Sequence, residues 1–244
     1  MELSLTIIMP AYKEAGNIKT ACESATRAVA EAGIVDYEIL IISNLDQRGD
    51  HDGTPDIAAQ IAKSDPRVRS IHNQAYVGLG YKYRQGVSEA TKDYVMLVPG
   101  DGEFEEGSLA GIMAHIGEAE IIVPYHANPG VRGFKRRFVS RGFTVLCNLL
   151  FGLNLKYYNG LCIHPRRYLQ KVPMASDNFA YMAEVLVYLV KSGVSYLEVP
   201  WEIKPSVAST AFRLKSVIEA SGTLLSLFWK IHFQRERITV VPTA

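Results

Sequence analysis

The sequence predicts an α/β protein with a central, mostly parallel sheet flanked by helices. Short segments that are almost continuously apolar alternate with segments of helical periodicity. A polar stretch containing glycine or proline follows each of the first four apolar segments. Strands that are apolar on both faces are typical of parallel sheets covered by helices on both sides. A length of 244 residues and an apolar content of 48% suit a single domain of this kind.

Four strands and three helices are predicted before residue 105. The strands are expected at 3–9, 37–43, 67–72 and 93–98. The helices are expected at 14–33, 55–63 and 78–91. In open sheets of this type, the chemistry lies at the carboxyl ends of the strands. The loops that follow the predicted strands are therefore the first places to look for function.

The pattern changes after residue 124. A fifth strand at 120–123 precedes a basic, glycine-containing segment, and a helix is predicted to run through Leu150. A helix, a strand and a further helix are then expected at 177–192, 195–201 and 212–234. We therefore expect residues 1–215 to form the domain, followed by a C-terminal amphipathic helix and tail at 216–244.

Composition limits the class of protein. The net charge is +1, which does not indicate a general nucleic-acid binder. The three cysteines, Cys22, Cys147 and Cys162, are too far apart in sequence to indicate a zinc knuckle or a disulfide framework. Neither a signal peptide nor a stretch of 18 apolar residues is evident, so a cytoplasmic location is expected.

Two polar loops follow the first two predicted strands. In MPAYKEAGNI, Pro10 and Tyr12 stand where a nucleotide base would stack, and Glu14 begins a helix. The second loop, SNLDQRGDHDGTPDIA, is rich in aspartate but lacks the glutamate that a calcium loop requires. A polar loop in which Asp52 or Thr54 caps the next helix is the simpler interpretation. Neither loop is a glycine-rich phosphate loop.

The segment VPGDGEF ends the fourth predicted strand. Asp101 and Glu103 alternate along it, so both can face one site if the chain stays extended. A divalent cation with oxygen ligands suits such a pair. A charged turn is an equal alternative, because Glu105 and Glu106 follow at the start of a helix, where they favour its dipole.

A basic cluster follows the fifth predicted strand, in GVRGFKRRFVSRGF. Its members, beside Ser140, are Arg132, Lys135, Arg136, Arg137 and Arg141. Helical spacing places Arg137 and Arg141 on one face. Both a solvated helix face and a phosphate-binding site are compatible with this pattern.

Taken together, these motifs resemble family-two glycosyltransferases. The family's order is matched by strand–PAYKE, strand–acidic loop–DGT, VGLGYKYRQGVSEATKDYVMLVPGD and AEVLVYLVKSGVSYLEVPW, over roughly residues 3–215. The chain resembles in particular the branch that contains dolichyl-phosphate mannose synthase and bacterial polyprenyl-phosphate glycosyltransferases. The resemblance implies a GT-A fold, a nucleoside-diphosphate-sugar donor and a divalent metal, Mg²⁺ or Mn²⁺.

The resemblance implies a set of nucleotide-binding positions in the first loop. PAYKE matches the family's PxYNE, so Pro10, Tyr12 and Glu14 are expected to bind nucleotide, with Lys13 in place of the usual asparagine.

The next two family motifs are altered in this chain. DDGSxDGT becomes SNLDQRGDHDGT, in which Asn44 can still hydrogen-bond a base edge and Asp46 replaces the lost acid. The metal motif Asp-x-Asp becomes PGDGE, which keeps the second acid and has glutamate at the usual glutamine position. Asp101 and Glu103 are the implied metal ligands, and Asp101 is also expected to contact the nucleotide and to be catalytic.

The resemblance also implies acceptor-binding residues. Arg136 and Ser140 match a family arginine four residues before a serine, and Arg137 adjoins them, so these three are expected at the acceptor phosphate. Arg136 is also expected to be catalytic, and Lys204 is the choice for a later family arginine. The family arginine after strand five is not evident, since only His126 stands there.

The nature of the acceptor decides whether a base is needed. A phosphomonoester is largely a dianion at neutral pH and can attack the sugar directly, whereas a sugar hydroxyl needs a general base. Glu184 matches a family acidic position and is expected to act as that base or to orient a substrate group. A partly buried helix carboxylate paired with an arginine is the alternative.

We therefore expect an inverting transferase that moves a hexose from a nucleoside-diphosphate sugar to polyprenyl phosphate. Residues 1–105 would form the nucleotide-sugar half and residues 106–215 the acceptor half. The apolar and basic C-terminal segment suits either a membrane interface, at the cytoplasmic face, or a packing helix or dimer contact. Transfer to a glycan hydroxyl and a non-catalytic sugar-nucleotide-binding protein remain alternatives.

Overall fold

The computed structural model describes residues 3–204 and 214–239 of the chain. Within these residues the strands are β1 (Ser4–Ala11), β2 (Asp36–Asn44), β3 (Val68–Asn73), β4 (Tyr94–Leu97), β5 (Ile121–His126), β6 (Ile163–Pro165) and β7 (Tyr196–Trp201). They form one sheet in the order β3-β2-β1-β4-β6-β5-β7. The α/β class and the mostly parallel sheet expected from the sequence are confirmed.

Helices connect and cover the strands. They are α1 (Ile18–Glu31), α2 (Thr54–Ser64), α3 (Leu79–Glu89), α4 (Glu106–Met113), α5 (Phe134–Phe151), α6 (Arg166–Leu169), α7 (Tyr181–Lys191) and α8 (Leu214–His232). The helices expected from periodicity are present, with ends shifted by a few residues. The largest shifts are at the starts of α1 and α7, and α1 begins after the PAYKE loop rather than within it.

Strand β6 was not expected from the sequence. It pairs antiparallel with β4 on one side and with β5 on the other, so it separates the four parallel strands β3-β2-β1-β4 from the parallel pair β5-β7. Three residues are too few to show any periodicity, which is why the strand has no sequence signal.

The core is built around β1. All eight of its residues are buried, and it pairs in parallel with both β2 and β4. Helix α3 packs directly on this strand, because a Cβ added to Gly86 would lie 2.7 Å from side-chain atoms of Ile8. Burial on both faces explains why the strand is apolar at nearly every position.

Hydrogen bonds beyond the regular ladder join the carboxyl ends of β1 and β4. The Val98 amide donates to the Ile8 carbonyl over 2.9 Å, and the Gly100 amide donates to the Pro10 carbonyl over 3.1 Å. A side chain at Gly100 would come within 3.2 Å of that Pro10 oxygen. The glycine therefore lets the chain after β4 approach the end of β1 and fixes where the following acids lie.

Helix α8 packs on α5 and α7. It buries Leu224, Leu227 and Ile231, and the His232 imidazole lies 2.9 Å from the Leu150 carbonyl at the end of α5. Among the described helices, none is both long enough and apolar enough to cross a membrane.

Candidate active site

A cavity of about 140 Å³ opens at the carboxyl edge of the sheet, beyond β4, β5 and β7. Asp101 and Glu103 line one side of it, and Arg132, Arg136 and Lys204 bring positive charge to the same space. The remaining lining residues include His126, Asn159, Leu161 and Trp201. The cavity therefore brings together two acids and three cations. The first and last of these in sequence, Asp101 and Lys204, are more than 100 residues apart.

The loop after β4 sets the position of the acids. Gly102 has a φ of 68°, a left-handed conformation that favours glycine, and it turns the chain between the two carboxylates. The Glu103 amide donates to Asp101 Oδ1 over 3.0 Å. Beyond the acids, Phe104 pairs with Ile203 in an isolated bridge, which brings Lys204 to the cavity.

The acids repel one another. Burial raises the pKa of Asp101, the Glu103 carboxylate raises it further, and Arg136 partly offsets the increase. Burial also raises the pKa of Glu14, with Asp101 and Glu103 adding to the effect. Three carboxylates thus face a common region, and a bound cation would relieve their repulsion.

The residues present fit a divalent metal that is shared with a substrate. Within the described ranges, no group of three or more His, Cys, Asp or Glu side chains is arranged to hold a metal ion by itself. Mg²⁺ commonly uses only one or two protein carboxylates and takes its other ligands from phosphate and water. Asp101 and Glu103 supply such a pair, whereas a closed structural site is not formed.

The arginines lie on the side of the cavity that leads to α5. Arg136 is half-buried, and burial together with the nearby Arg132 lowers its pKa. Arg132 donates to the Tyr157 hydroxyl over 3.2 Å, while its Nε is buried without a hydrogen-bond partner among the described residues. Two close guanidinium groups with unused donor capacity are suited to an anion.

His126 forms the floor beside these arginines. Its ring lies 4.5 Å from that of Tyr157 and 5.1 Å from that of Trp201, and neither ring nitrogen has a hydrogen-bond partner among the described residues. Burial lowers the pKa of His126 to about 3, and Arg132 and Arg136 lower it further in the same direction. The imidazole is therefore neutral at physiological pH.

The DGT segment holds the PAYKE loop in place. Thr54 Oγ1 accepts the Glu14 amide over 2.8 Å, and Asp52 Oδ2 accepts the Ala15 amide over 3.0 Å. Asp52 also accepts the Thr54 amide at the start of α2. The N-cap residue of α2 is Gly53 and has no side-chain capping hydrogen bond, so the expected capping by Asp52 or Thr54 is wrong in that form. The two side chains instead fix the loop that leads into α1.

Tyr12 stands exposed at the end of β1, as a base-stacking residue should. Its ring is 40% exposed and lies edge-on to that of Tyr76, with 5.8 Å between the centroids. Pro10, by contrast, is buried inside β1, where its carbonyl holds Gly100. It therefore positions the loop after β4 and has no free surface for a nucleotide.

Asn44 and Asp46 are already engaged by the protein. Asn44 is buried; its Oδ1 accepts Lys82 Nζ over 2.8 Å and its Nδ2 donates to the Leu45 carbonyl over 2.6 Å. Asp46 binds Lys13 Nζ over 2.7 Å and accepts the amides of its own loop. The hydrogen bond from Lys13 holds the pKa of Asp46 well below its usual range. Both side chains organise the loop, and their expected contact with the base stays a prediction.

Glu184 lies away from the cavity. It is buried, and its Oε2 accepts the amides of Ala175 and Ser176 over 3.1 and 2.9 Å. Burial raises its pKa, and these amides oppose the rise. The carboxylate holds the loop before α7, and it does not line the cavity that contains Asp101. The expectation that it acts as a base there has no geometric support.

The expected acceptor residues divide into two groups. Arg136 and Lys204 line the cavity, whereas Arg137 is exposed and Ser140 does not line it. Arg132 was recognised only as part of the basic cluster, yet it lines the cavity beside Arg136. The only signal of this placement in the sequence is the Pro129-Gly130 turn two residues before Arg132, which directs the chain back towards β5.

The fold defines the class of protein. Glucosyl-3-phosphoglycerate synthase from Mycobacterium tuberculosis, in complex with Mn²⁺, uridine diphosphate and phosphoglyceric acid, is similar to this chain with a TM-score of 0.66. The identity is 14%, covering 93% of this chain and 78% of that one. Mannosyl-3-phosphoglycerate synthase from Rubrobacter xylanophilus gives a TM-score of 0.64 at 14% identity, covering 98% and 77%. The chain has the GT-A glycosyltransferase fold.

The sequence profile described as "Glycosyl transferase family 2" matches residues 6–172. This match covers more than half of the chain, and the protein belongs to that family of nucleotide-sugar-dependent glycosyltransferases. Glycosyltransferase AglD of Haloferax volcanii is 21% identical over 250 residues. The alignment covers 97% of this chain but only 39% of that relative, so the chain spans about two fifths of the relative's length.

Proposed function

We propose that this protein is an inverting glycosyltransferase that moves a hexose from a nucleoside-diphosphate sugar to a phosphomonoester acceptor, polyprenyl phosphate. The observation that carries the proposal is the cavity in which Asp101 and Glu103 share one space with Arg132, Arg136 and Lys204. The acids can hold the metal that the donor diphosphate needs, and the cations match the negative charge of the acceptor phosphate.

A phosphate acceptor fits the lack of a suitable base among the described residues that line this cavity. A phosphomonoester has its second pKa near ~6, so at neutral pH it already carries the negative oxygen that attacks the anomeric carbon. A sugar hydroxyl would need a group to take its proton. The described carboxylates that line the cavity are the acids assigned to the metal, and His126 has too low a pKa to be an efficient base.

Catalysis then rests on position and charge. When bound, the divalent metal neutralises the donor diphosphate as it leaves. Asp101 and Glu103 hold the metal, and Glu14 adds negative charge behind them. Arg132 and Arg136 hold the acceptor phosphate and offset its repulsion from the donor, which such enzymes achieve by preorganised electrostatics. Attack from the face opposite the leaving group inverts the anomeric centre. The solved relative that contains Mn²⁺, uridine diphosphate and phosphoglyceric acid supports this combination of ligands.

Exposed apolar side chains support a lipid-linked acceptor. On α5, Phe134, Phe138 and Leu149 are 76%, 71% and 78% exposed; on α8, Leu225 and Trp229 are 66% and 55% exposed. The exposed basic residues Lys135, Arg137 and Arg141 lie along α5 among the apolar ones. Apolar and basic side chains together are suited to an anionic membrane surface, so we propose peripheral binding at the cytoplasmic face.

The acceptor is tested by incubating the protein with radiolabelled UDP- or GDP-hexose, Mn²⁺ and one of three acceptors. These are polyprenyl phosphate, 3-phosphoglycerate and a soluble glycan. We expect label in the organic phase with polyprenyl phosphate. Label on the glycan alone would contradict the phosphate acceptor, and label on 3-phosphoglycerate alone would contradict the lipid. Donor binding without transfer to any acceptor would support the non-catalytic alternative.

Membrane binding is tested separately by sedimentation with anionic vesicles. Phe138→Ser and Trp229→Ser should each reduce the bound fraction several-fold, because each removes an exposed ring from the lipid-facing surface. The matched control Val35→Ser changes a 79% exposed apolar residue before β2, away from α5 and α8. Equal binding of all four proteins would contradict this surface.

A further inference from the structure

A buried lysine lies at the nucleotide end of the sheet with no function assigned to it. Lys82, on α3, is only 4% exposed, although lysine is almost never fully buried without an ion-pair partner. Its Nζ donates to Asn44 Oδ1 over 2.8 Å and lies 3.5 Å from the Ala11 carbonyl. Both acceptors are uncharged, and within the described residues Lys82 forms no ion pair.

The environment of Lys82 penalises its charge. Burial lowers its pKa to about 8, and the Glu14 carboxylate only partly opposes this effect. An ammonium group has three N–H donors, and the protein oxygens take two, one of them at the limit of hydrogen-bond distance. Lys82 therefore keeps one donor that no described residue satisfies.

The position of Lys82 is the position of a nucleotide base. It lies between the carboxyl ends of β1 and β2, and its Nζ is 5.8 Å from the centre of the exposed Tyr12 ring. The other polar side chains expected to read a base, Asn44 and Asp46, have their hydrogen bonds within the protein. Asn44 still has one N–H and further acceptor capacity, but Lys82 is the positively charged donor among these three side chains.

We propose that Lys82 determines donor specificity by donating a hydrogen bond to a carbonyl oxygen of the nucleotide base. This inference rests on the proposed use of a nucleotide-sugar donor but not on the identity of the acceptor. Uracil and guanine carry a carbonyl at the hydrogen-bonding edge where cytosine and adenine carry an amino group. An ammonium group can donate a hydrogen bond to the carbonyl oxygen. It cannot bond the amino group in this way, because both groups are donors. The site is therefore selective for oxo bases.

The test compares two pairs of nucleotides in which an oxo group beside a ring N–H is exchanged for an amino group beside an unprotonated ring nitrogen. Uridine and cytidine diphosphates form one pair, and inosine and adenosine diphosphates form the other. Calorimetric binding is measured for each at pH 7 with Mn²⁺. In the unaltered protein, the oxo member of each pair should bind about 10- to 100-fold more tightly, the range of a hydrogen bond to a charged group.

Lys82→Met keeps the length of the side chain and removes the donor. In this variant the preference for the oxo member should fall to less than about 3-fold in both pairs, while Lys63→Met, on the exposed side of α2, should keep the full preference. Circular dichroism establishes that each variant is folded. Equal binding within each pair by the unaltered protein would overturn the proposal, as would a preference that survives in Lys82→Met.

The outcome is independent of the acceptor experiment. An oxo-base preference that depends on Lys82, in a protein that labels no polyprenyl phosphate, would support Lys82 and contradict the lipid acceptor. Transfer to polyprenyl phosphate with equal use of all bases would support the lipid acceptor and contradict the role of Lys82. Because the first comparison uses the unaltered protein, the proposal stays testable even if Lys82→Met does not fold.

Discussion

At the scale of single residues, the loop after β4 combines features that the sequence presents as alternatives. Asp101 lines the cavity, and burial raises its pKa. Glu103 lies two residues further along the same loop and lines the cavity as well. The helix that follows begins at Glu106, which forms an ion pair with Arg27 on α1. The charged turn and the carboxylate pair are therefore both present, formed by different acids of the same segment.

The carboxylate pair gives the first prediction. Asp101→Ala should lower metal-dependent turnover at least about 100-fold, since a metal supplies several kcal/mol to the transition state. Glu103→Ala should have a smaller effect because Glu103 is more exposed than Asp101. Steady-state rates over a Mn²⁺ titration measure both. Glu105→Ala, an exposed acid of the same segment, is the control. Normal rates in both site variants would contradict the metal assignment.

The arginines of α5 give a matched pair one residue apart. Arg136 lines the cavity and is half-buried, whereas Arg137 is exposed. Arg136→Ala should raise the KM for polyprenyl phosphate and lower kcat/KM about 10- to 100-fold, because a charge-assisted contact to phosphate is lost. Arg137→Ala should change kcat/KM in detergent by less than 3-fold. Equal effects of the two changes would show that the cavity does not bind the acceptor.

At the scale of elements, the two motifs of the nucleotide half depend on each other. Thr54 and Asp52, at the start of α2, bind the amides that precede α1. Gly53 makes this possible with a φ of 94°, which an L side chain rarely adopts. The DGT segment thus keeps a structural role, while the segment before it is held by the contact of Lys13 with Asp46 and by the hydrogen bond from Lys82 to Asn44.

Packing of α3 on β1 gives a prediction for stability. Gly86→Ala would place a methyl group 2.7 Å from the fully buried Ile8, so overpacking should destabilise the fold by about 1–2 kcal/mol despite the better helix propensity of alanine. Gly111→Ala in α4 has no atom within 4 Å of its new Cβ and should be neutral or stabilising by up to about 1 kcal/mol. Urea unfolding measures both. A stable Gly86→Ala would mean that α3 can move away from the sheet.

At the scale of the whole molecule, buried neutral histidines couple stability to pH. His126 and His164 each have a pKa lowered to about 3 by burial. As the pH falls below about 6.5, histidines of the unfolded chain bind protons while these two in the folded protein do not. The stability that they contribute is full above pH 6.5 and is lost as the pH falls from there towards 3.

His126→Phe tests this coupling because phenylalanine keeps the stacking with Tyr157 and Trp201. Between pH 7 and pH 5 the variant should lose about 1 kcal/mol less stability than the unaltered protein, a value reduced because His126 is partly exposed. Urea unfolding at the two pH values provides the measurement. His115→Phe, at a half-exposed histidine after α4, is the control. The idea fails if the two variants lose stability in parallel.

The cavity is lined by segments from both sides of β6. The acids come from the loop after β4, whereas the cations come from the segments that follow β5 and β7. Strand β6 lies between β4 and β5 and keeps these segments apart by the width of one strand. The space for two charged substrates is thus a consequence of sheet order, which no local sequence pattern specifies.

The sequence by itself determined the α/β class, the order of the longer elements and the loops that carry the chemistry. Apolar periodicity and glycine or proline punctuation are local properties, and every strand longer than the three residues of β6 has enough of them to be recognised among the described strands. It also predicted that Asp101, Glu103, Arg136 and Lys204 belong to one site, and the structure brings these four residues to the same cavity.

Only the tertiary structure decided what each polar side chain contacts. Glu184 accepts two backbone amides, and Asn44 accepts a hydrogen bond from Lys82. Arg132 lines the cavity, and Lys82 is buried beside Tyr12. The physical reason is that hydrogen bonds and burial depend on residues from several elements at once. A polar side chain is available to a substrate only when those distant neighbours leave its capacity unused, and such neighbours are not encoded in the local pattern around it.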